Sequence, residues 1–259
     1  MDTVVRENLP FTTTRGIINC VTFPATARSY AVGLKLVDRH DRLKGRPAEF
    51  DLLGLRWDLL PEVFVPTFTG STRFFSSCLP YPVGGSFLEV GCGTGVTAVL
   101  GALRGCSQVT AVDISAAAVR NTEMNVARHG MGDRVRVLGS DVFDALAPGE
   151  RFDVIFWNSN VIPAPEGFVY TRQVQRAIFD RCYEAHRRYL CQGPQRLSGN
   201  GRLFLGFNSL GNIRQLRALA SEAGLQVAQR ENLTCQAGDI PVTFQLLELT
   251  GDPAPVGGV

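Results

Sequence analysis

The sequence predicts an α/β fold in which a mostly parallel sheet of seven strands carries helices on both faces, preceded by an N-terminal extension. Three observations lead there. From Phe87 onward, short apolar runs alternate with longer amphipathic stretches, the pattern of repeated strand–helix units. A glycine loop, Gly91-Cys92-Gly93-Thr94-Gly95, stands at the first strand-to-helix junction. Acidic or amide residues then recur at the ends of successive strands, the edge at which open α/β sheets bind ligands.

The elements follow in order. A helix fits residues 25–43. Residues 50–57 and 63–65 read as a hairpin turning near 58–61, and 67–77 as a loop and helix leading into the core. Residues 87–90 form the first strand, buried on both faces, and 96–103 the helix after the glycine loop. The second strand is 109–113. Ser115 suits the N-cap of a helix through Ala116, Val119, Met124 and Val126 that ends toward Gly130. Strands at 134–138 and 152–157 come next. Ile178, Cys182 and Tyr189 stand at near-helical spacing and predict one long helix over 171–189. A fifth strand at 201–207, a helix at 213–222 and an antiparallel pair at 225–232 and 241–248 close the sheet. The expected organisation is an extension or lid over 1–60, a catalytic core over 61–250 and a frayed tail rich in Gly and Pro over 251–259.

Composition narrows the function. The 259 residues and 45% hydrophobic content supply one sizeable core. A net charge of +2 gives no global field that would by itself gather nucleic acid. The seven cysteines are scattered without a C-x-x-C pair and the histidines do not cluster, so the expectation is no metal and no disulfide framework, as for reduced thiols in the cytoplasm. No apolar run reaches the roughly 18 residues that a membrane span needs.

The loop Leu88-Glu89-Val90-Gly91-Cys92-Gly93-Thr94-Gly95 lies where a nucleotide-binding turn belongs. A dinucleotide reading also fits, since Gly93 to Ala98 matches G-x-G-x-x-A. Charge separates the two. A pyrophosphate wants a helix N-terminus without a neighbouring anion, yet Glu89 immediately precedes the loop and residues 74–103 contain no Lys or Arg. S-adenosylmethionine (SAM) carries a sulfonium and an ammonium and no phosphate, so an acid there attracts it. The expected SAM contacts are Glu89, Gly91, Cys92, Gly93, Thr94 and Gly95. Asp113, with Ile114 beside it, is expected to accept the ribose hydroxyls. Asp141 is expected to accept from the adenine amino group, with Val142 and Phe143 as apolar walls. Asn158 is expected where the methyl is delivered.

Through E-V-G-C-G-T-G, A-V-D-I-S, S-D-V-F and F-D-V-I-F-W-N the chain resembles the class I SAM-dependent methyltransferases, Rossmann-like proteins, over about residues 58–248. Within them it looks most like the HemK/PrmC group, the methyltransferase small-domain proteins that include protein-glutamine and RNA amino-group N-methyltransferases. The segments Pro61 to Thr67 and Ala116 to Asn125 carry this likeness. Asn158 falls where that group has the Asn of N-P-P-Y, but here the element is Asn158-Ser159-Asn160-Val161. Both prolines and the aromatic platform are gone. In the family the Asn accepts a hydrogen bond from the amino group being methylated and the aromatic residue stacks on it; Val161 has no ring, and Trp157, Phe168 or Tyr170 would have to replace it.

Asn158 and Asn160 are therefore the expected catalytic groups, with strand-ending Asx turns as their bland alternative. Thr69, Ser159, Val161 and Tyr170 are the expected substrate contacts. Glu166, Asn208 and Ser209 are weaker candidates for the pocket wall. His129 and His186 read as solvated, and Arg172, Arg176, Arg181, Arg187 and Arg188 as a wet helical face. The acceptor expected from the neutral surface and altered strand-end element is a small amine or amino-acid-derived metabolite, of a biosynthetic kind. A HemK-like protein-glutamine or RNA amino-group acceptor is the alternative. A third reading keeps SAM but moves another of its carbons and releases methylthioadenosine. No membrane partner is expected.

Overall fold

The computed structural model describes residues 27–42, 48–237 and 240–251. The first part of the expected lid, residues 1–26, and the expected frayed tail from residue 252 lie outside the described residues.

In chain order the elements are α1 (Ala27–Asp41), β1 (Ala48–Leu52), β2 (Leu55–Leu59), α2 (Ser71–Cys78), β3 (Ser86–Val90), α3 (Val96–Leu103), β4 (Gln108–Asp113), α4 (Ala116–Arg128), β5 (Val135–Gly139), β6 (Phe152–Asn158), β7 (Ile162–Ala164), β8 (Phe179–Arg181), α5 (Glu184–Gln192), β9 (Leu197–Asn208), α6 (Ile213–Glu222), β10 (Leu225–Ala237) and β11 (Ile240–Gly251). Seven of the described strands form one sheet in the order β10-β11-β9-β6-β3-β4-β5. Neighbours from β9 to β5 run parallel, and β11 runs antiparallel to both β9 and β10.

Strand alternation builds the two faces of this sheet. On β6, Ile155 and Trp157 point into the core shared with α5 and α6, where Tyr189, Leu190, Leu216 and Leu219 pack. Val154 and Phe156 point the other way, into the core that holds Phe75, Val99 and Val126 from α2, α3 and α4. Phe87 and Leu88 divide between the faces in the same manner. Because both faces are covered, the strands read as continuous apolar runs, which is why the core was legible.

Local signals placed the helices around the site. Ser115 caps α4, its Oγ accepting from Ala118 N–H at 3.4 Å. Asn212 does the same for α6, accepting from Gln215 N–H at 3.1 Å.

Two expectations fail, each for a tertiary reason. The N-terminal hairpin turns at Leu53-Gly54, not at 58–61, because those residues take φ +55° and +77°, the backbone that a two-residue turn between antiparallel strands requires. Residues 63–65 are therefore not its second strand; Val63 and Val65 are buried against Ala117 and Ala118 of α4. The long helix over 171–189 is broken into a 3-10 turn (Gln173–Ala177), β8 and α5. Cys182 and Tyr183 adopt φ +50° and +54°, which no α-helix continues through. The Asp180 carboxylate accepts from the N–H groups of Ala185 and His186 at 3.2 and 3.0 Å, so α5 starts afresh there.

Within the expected lid, β2 packs on α4, and α1 packs on β7 and the 3-10 turn before β8. Asp41 at the end of α1 pairs with Arg172. These contacts hold Val32 and Leu36 of α1 over the C-terminal edge of the sheet.

Candidate active site

A cavity of about 810 Å³ opens at the C-terminal ends of the parallel strands. One half is walled by the loop after β3, by Asp113 to Ser115 after β4 and by Ser140 to Val142 after β5. The other half is walled by residues 157–162 at the end of β6, by the 170–181 segment and by Val32, Leu36 and residues 66–72.

The glycine loop owes its shape to short-range bonds. Cys92 N–H donates to Val112 O at 3.0 Å and Gly95 N–H to Cys92 O at 2.7 Å, curling the chain from β3 into α3. Gly91 has φ +66°, and a Cβ there would come within 3.0 Å of Trp157 Nε1. Gly95 has φ +78°, and a Cβ there would meet Thr122 Cγ2 at 2.7 Å. Only glycine fits either position.

Glu89 is buried at 3% exposure, and its Oε2 accepts from Ala98 N–H at 2.8 Å. The carboxylate thus occupies the N-terminal turn of α3, the place a pyrophosphate would take, so the glycine loop cannot serve a dinucleotide in the usual manner. Burial pushes its carboxyl up to about 8, with hydrogen bonds from Thr97 and Ala98 opposing the shift. Without basic residues beside it, this carboxyl suits a cationic ligand without phosphate, whose positive charge would favour its ionised form. Such a ligand brings a methyl already activated by its positive sulfur.

Asp113 joins two loops: Oδ2 accepts from Gly93 N–H and Oδ1 from Ser115 N–H, each at 2.9 Å. Burial raises its pKa, and these bonds oppose the rise. Asp113 is therefore a structural residue as well as a wall residue. Asp141 reaches the same wall but is 45% exposed and ion-paired with Arg188. Val142 lines the cavity with φ +55°. Phe143 does not; it is 1% exposed, stacked on Tyr189 with centroids 5.6 Å apart, so its expected place on the cavity wall is corrected to the core. Gly95 likewise faces α4 rather than the cavity.

At the end of β6, Asn158 lines the cavity with Nδ2 toward Ser71 Oγ at 3.4 Å, and its Oδ1 has no partner among the described residues. Asn160 Nδ2 donates to the carbonyls of Arg176 and Phe179 at 3.0 and 2.9 Å, which fixes the orientation of its amide. Thr69 Oγ1 lies 2.9 Å from Ser71 Oγ on the facing wall. Val161 is 5% exposed and its carbonyl accepts from Tyr183 OH at 2.6 Å. Tyr170 bridges Phe179 O and Arg181 N–H at 3.1 and 3.0 Å, with the Arg176 guanidinium 4.4 Å from its ring centroid. One face of that ring is therefore taken. Trp157 sits beneath Gly91, and Asn208 lines the far wall, whereas Glu166, Phe168 and Ser209 do not.

Some residues carry more than the sequence suggested. Asn121 and Asn125 of α4 are fully buried, and both Nδ2 groups donate to Asp58 O, at 2.8 and 2.9 Å. Asn125 Nδ2 also reaches Thr94 O at 2.8 Å, fastening the glycine loop and the N-terminal hairpin to one helix. His186, expected in solvent, is fully buried and bonded to Asp180 and Ser159. The missed signal was Asp180 six residues ahead of it, hidden by the assumption of a continuous helix. His129 is half-buried against Trp57, with centroids 4.5 Å apart, and desolvation lowers its pKa. The arginines are partnered: Arg187 with Glu222 at 2.7 Å, Arg181 with Glu184 at 3.0 Å, and Arg188 with Asp141 and Asp144. No helix among the described residues is long and apolar enough to cross a membrane.

Residues 87–184 match the methyltransferase domain family. The chain is similar to the release factor glutamine methyltransferase of Bordetella pertussis, 35% identical over 127 residues that cover 45% of this chain and 46% of that one. It is also similar to the enzyme of the same name from Chlorobaculum tepidum, 27% identical over 225 residues, 76% of each chain. The matched stretch thus spans about half the length of the first of these curated relatives and about three quarters of the second. Among solved structures, the T. thermophilus 16S rRNA N2 methyltransferase in complex with AdoMet and guanosine superimposes with a TM-score of 0.51 at 21% identity, over 80% of this chain and 50% of that one, a likeness of fold.

Proposed function

We propose, from the premise that this chain carries a class I methyltransferase domain of HemK/PrmC type using S-adenosylmethionine, that its acceptor is a side-chain carboxamide nitrogen of a protein. The observation that carries this reading is the Asn158 carboxamide at the end of β6, on the cavity wall beside the glycine loop, with Oδ1 left unbonded. A planar N–H group needs one well-placed carbonyl acceptor to fix its plane, and Asn158 offers one.

The names of the relatives, release factor glutamine methyltransferases, support a protein acceptor over the small metabolite that composition suggested. The chemistry asked of the protein is positional. Methyl transfer is an in-line displacement, so the chain's own residues have to hold the nitrogen opposite the sulfonium and keep water out. Glu89, the glycine loop, Asp113 and Asp141 are assigned to SAM, and Asn158 with Asn160 to the acceptor. Helix α1, through Val32 and Leu36, serves as part of a lid over the acceptor half.

The test incubates the purified full chain with SAM and, separately, a glutamine-containing release-factor peptide, the intact release factor, tRNA and a panel of small amines and amino acids. The nucleoside product and the methylated acceptor are read by mass spectrometry. S-adenosylhomocysteine together with a methylated glutamine supports the reading. Turnover with small amines or tRNA alone would overturn it, and methylthioadenosine released without any acceptor would remove the methyl-transfer assignment altogether.

A further inference from the structure

Three polar side chains that this chemistry leaves unused are buried together in the acceptor wall, Ser159 and Asp180 among the residues that line the cavity and His186 behind them. Asp180 is 3% exposed, His186 0% and Ser159 7%. His186 Nδ1 lies 2.7 Å from Asp180 Oδ2, and Nε2 lies 3.0 Å from Ser159 Oγ. Ser159 Oγ donates to the carbonyl of Gly206 on β9 at 2.8 Å, and its own N–H reaches the same oxygen at 3.1 Å. The rings of Trp157 and Tyr183 flank the imidazole, with centroids 4.8 and 4.5 Å away. A buried polar chain of this kind is retained only when its members satisfy one another, and fully satisfied it is rigid.

The imidazole bridges the Asp180 carboxylate and the Ser159 hydroxyl through its two ring nitrogens, a span that a glutamine, with both hydrogens on one nitrogen, cannot reproduce. The turn that aims Asp180 and His186 at Ser159 is itself strained, with consecutive non-glycine residues, Cys182 and Tyr183, in the left-handed region. Such strain persists where the surrounding structure overdetermines it, and it clusters at functional sites.

Ser159 lies one residue past the end of β6, between Asn158 and Asn160, so the bonds that hold it to Gly206 and His186 also fix the backbone from which both asparagines reach the cavity. In the family this segment resembles, two prolines stiffen the same element. Here both are missing. We propose that Asp180, His186 and Ser159 form a buried positioning relay that replaces the prolines and sets Asn158 and Asn160 for the acceptor. The inference rests on the reading that these asparagines hold the acceptor.

The experiment compares Ser159→Val, Ser159→Thr, His186→Gln and Asp180→Asn in the full chain, with SAM affinity by calorimetry and the melting temperature measured alongside. Val and Thr have nearly the same shape, so the pair isolates the hydroxyl. The expected result is a fall of about tenfold or more in kcat/KM for the acceptor in Ser159→Val, His186→Gln and Asp180→Asn, with SAM affinity within about twofold of the parent. Ser159→Thr is expected to recover to within about threefold. Wild-type kcat/KM in Ser159→Val, or a Thr variant no better than Val, would overturn the relay. If a relay variant at 180 or 186 does not fold, the pair at 159 decides. Asn158→Ala is run in parallel: wild-type turnover there would overturn the acceptor reading, whereas loss of turnover there with an unaffected Ser159→Val overturns the relay alone.

Discussion

The glycine-loop half of the cavity and the strand-end half are built over different distances in the chain. Gly93 is held by Asp113 from 20 residues away, and Ala98 by Glu89 from 9. Asn158 meets Ser71 across 87 residues, and Ser159 is fixed by Gly206 across 47 and by His186 across 27. The first half is a strand, a turn and a helix whose backbone bonds mostly close within the same unit. The second is a strand end whose side chains are oriented by elements that arrive from elsewhere. Candidate ligand contacts in the first half can be read from residue types in order, while in the second the same residue types are oriented through partners that the sequence does not mark.

Asn158→Ala is expected to lower turnover on the order of a hundredfold while SAM affinity stays within about twofold, because misplacement of the acceptor is penalised without loss of the donor. Steady-state rates and calorimetry on one preparation check it, and equal losses in both would mean that the halves are not separable. Asp113→Ala is expected to act in the opposite sense, weakening SAM about ten- to hundredfold through lost charge-assisted bonds. Some loss of melting temperature accompanies it, since Gly93 and Ser115 lose their anchor. Unchanged SAM affinity would return Asp113 to a purely structural role.

Gly95→Ala sharpens the contrast by testing local shape alone. Its Cβ would press on Thr122 at a left-handed φ, and a destabilisation of about 1–3 kcal/mol is expected from chemical denaturation. A variant as stable as the parent would show that the loop has slack the geometry does not suggest.

The smallest effect per measured step concerns Glu89. Its folded carboxyl is raised by burial from 4.5 to about 8, so folding favours the protonated form. That contribution is fully present below the unfolded value near 4.5 and is lost as pH rises through about 8. The slope is at most about 1.4 kcal/mol per pH unit. Glu89→Gln, which keeps an acceptor for Ala98, is expected to remove this slope from the difference between its urea midpoints and those of the parent over pH 5 to 8. Parallel curves for the two proteins would contradict it.

Legible in the sequence alone were the doubly covered parallel sheet, the glycine turn, the cap of α4 and the acids at the ends of β3 and β4 and after β5. Each is written in a short window: an apolar run of strand length, glycines at positive φ, a serine before a helix. What only the tertiary structure decided was where the N-terminal hairpin turns, that residues 171–189 are not one helix, that Phe143 belongs to the core and that His186 is buried with Asp180 and Ser159. The spacing of Ile178, Cys182 and Tyr189 is compatible with a helix, but the pull of Tyr183 toward Val161 and Asn212 and the start of α5 under Asp180 outweigh that local preference. Helical periodicity contributes tenths of a kcal/mol per residue. Buried hydrogen bonds to distant carbonyls contribute about 1 kcal/mol each and are expensive to leave unmade, so they determined the shape of the acceptor wall.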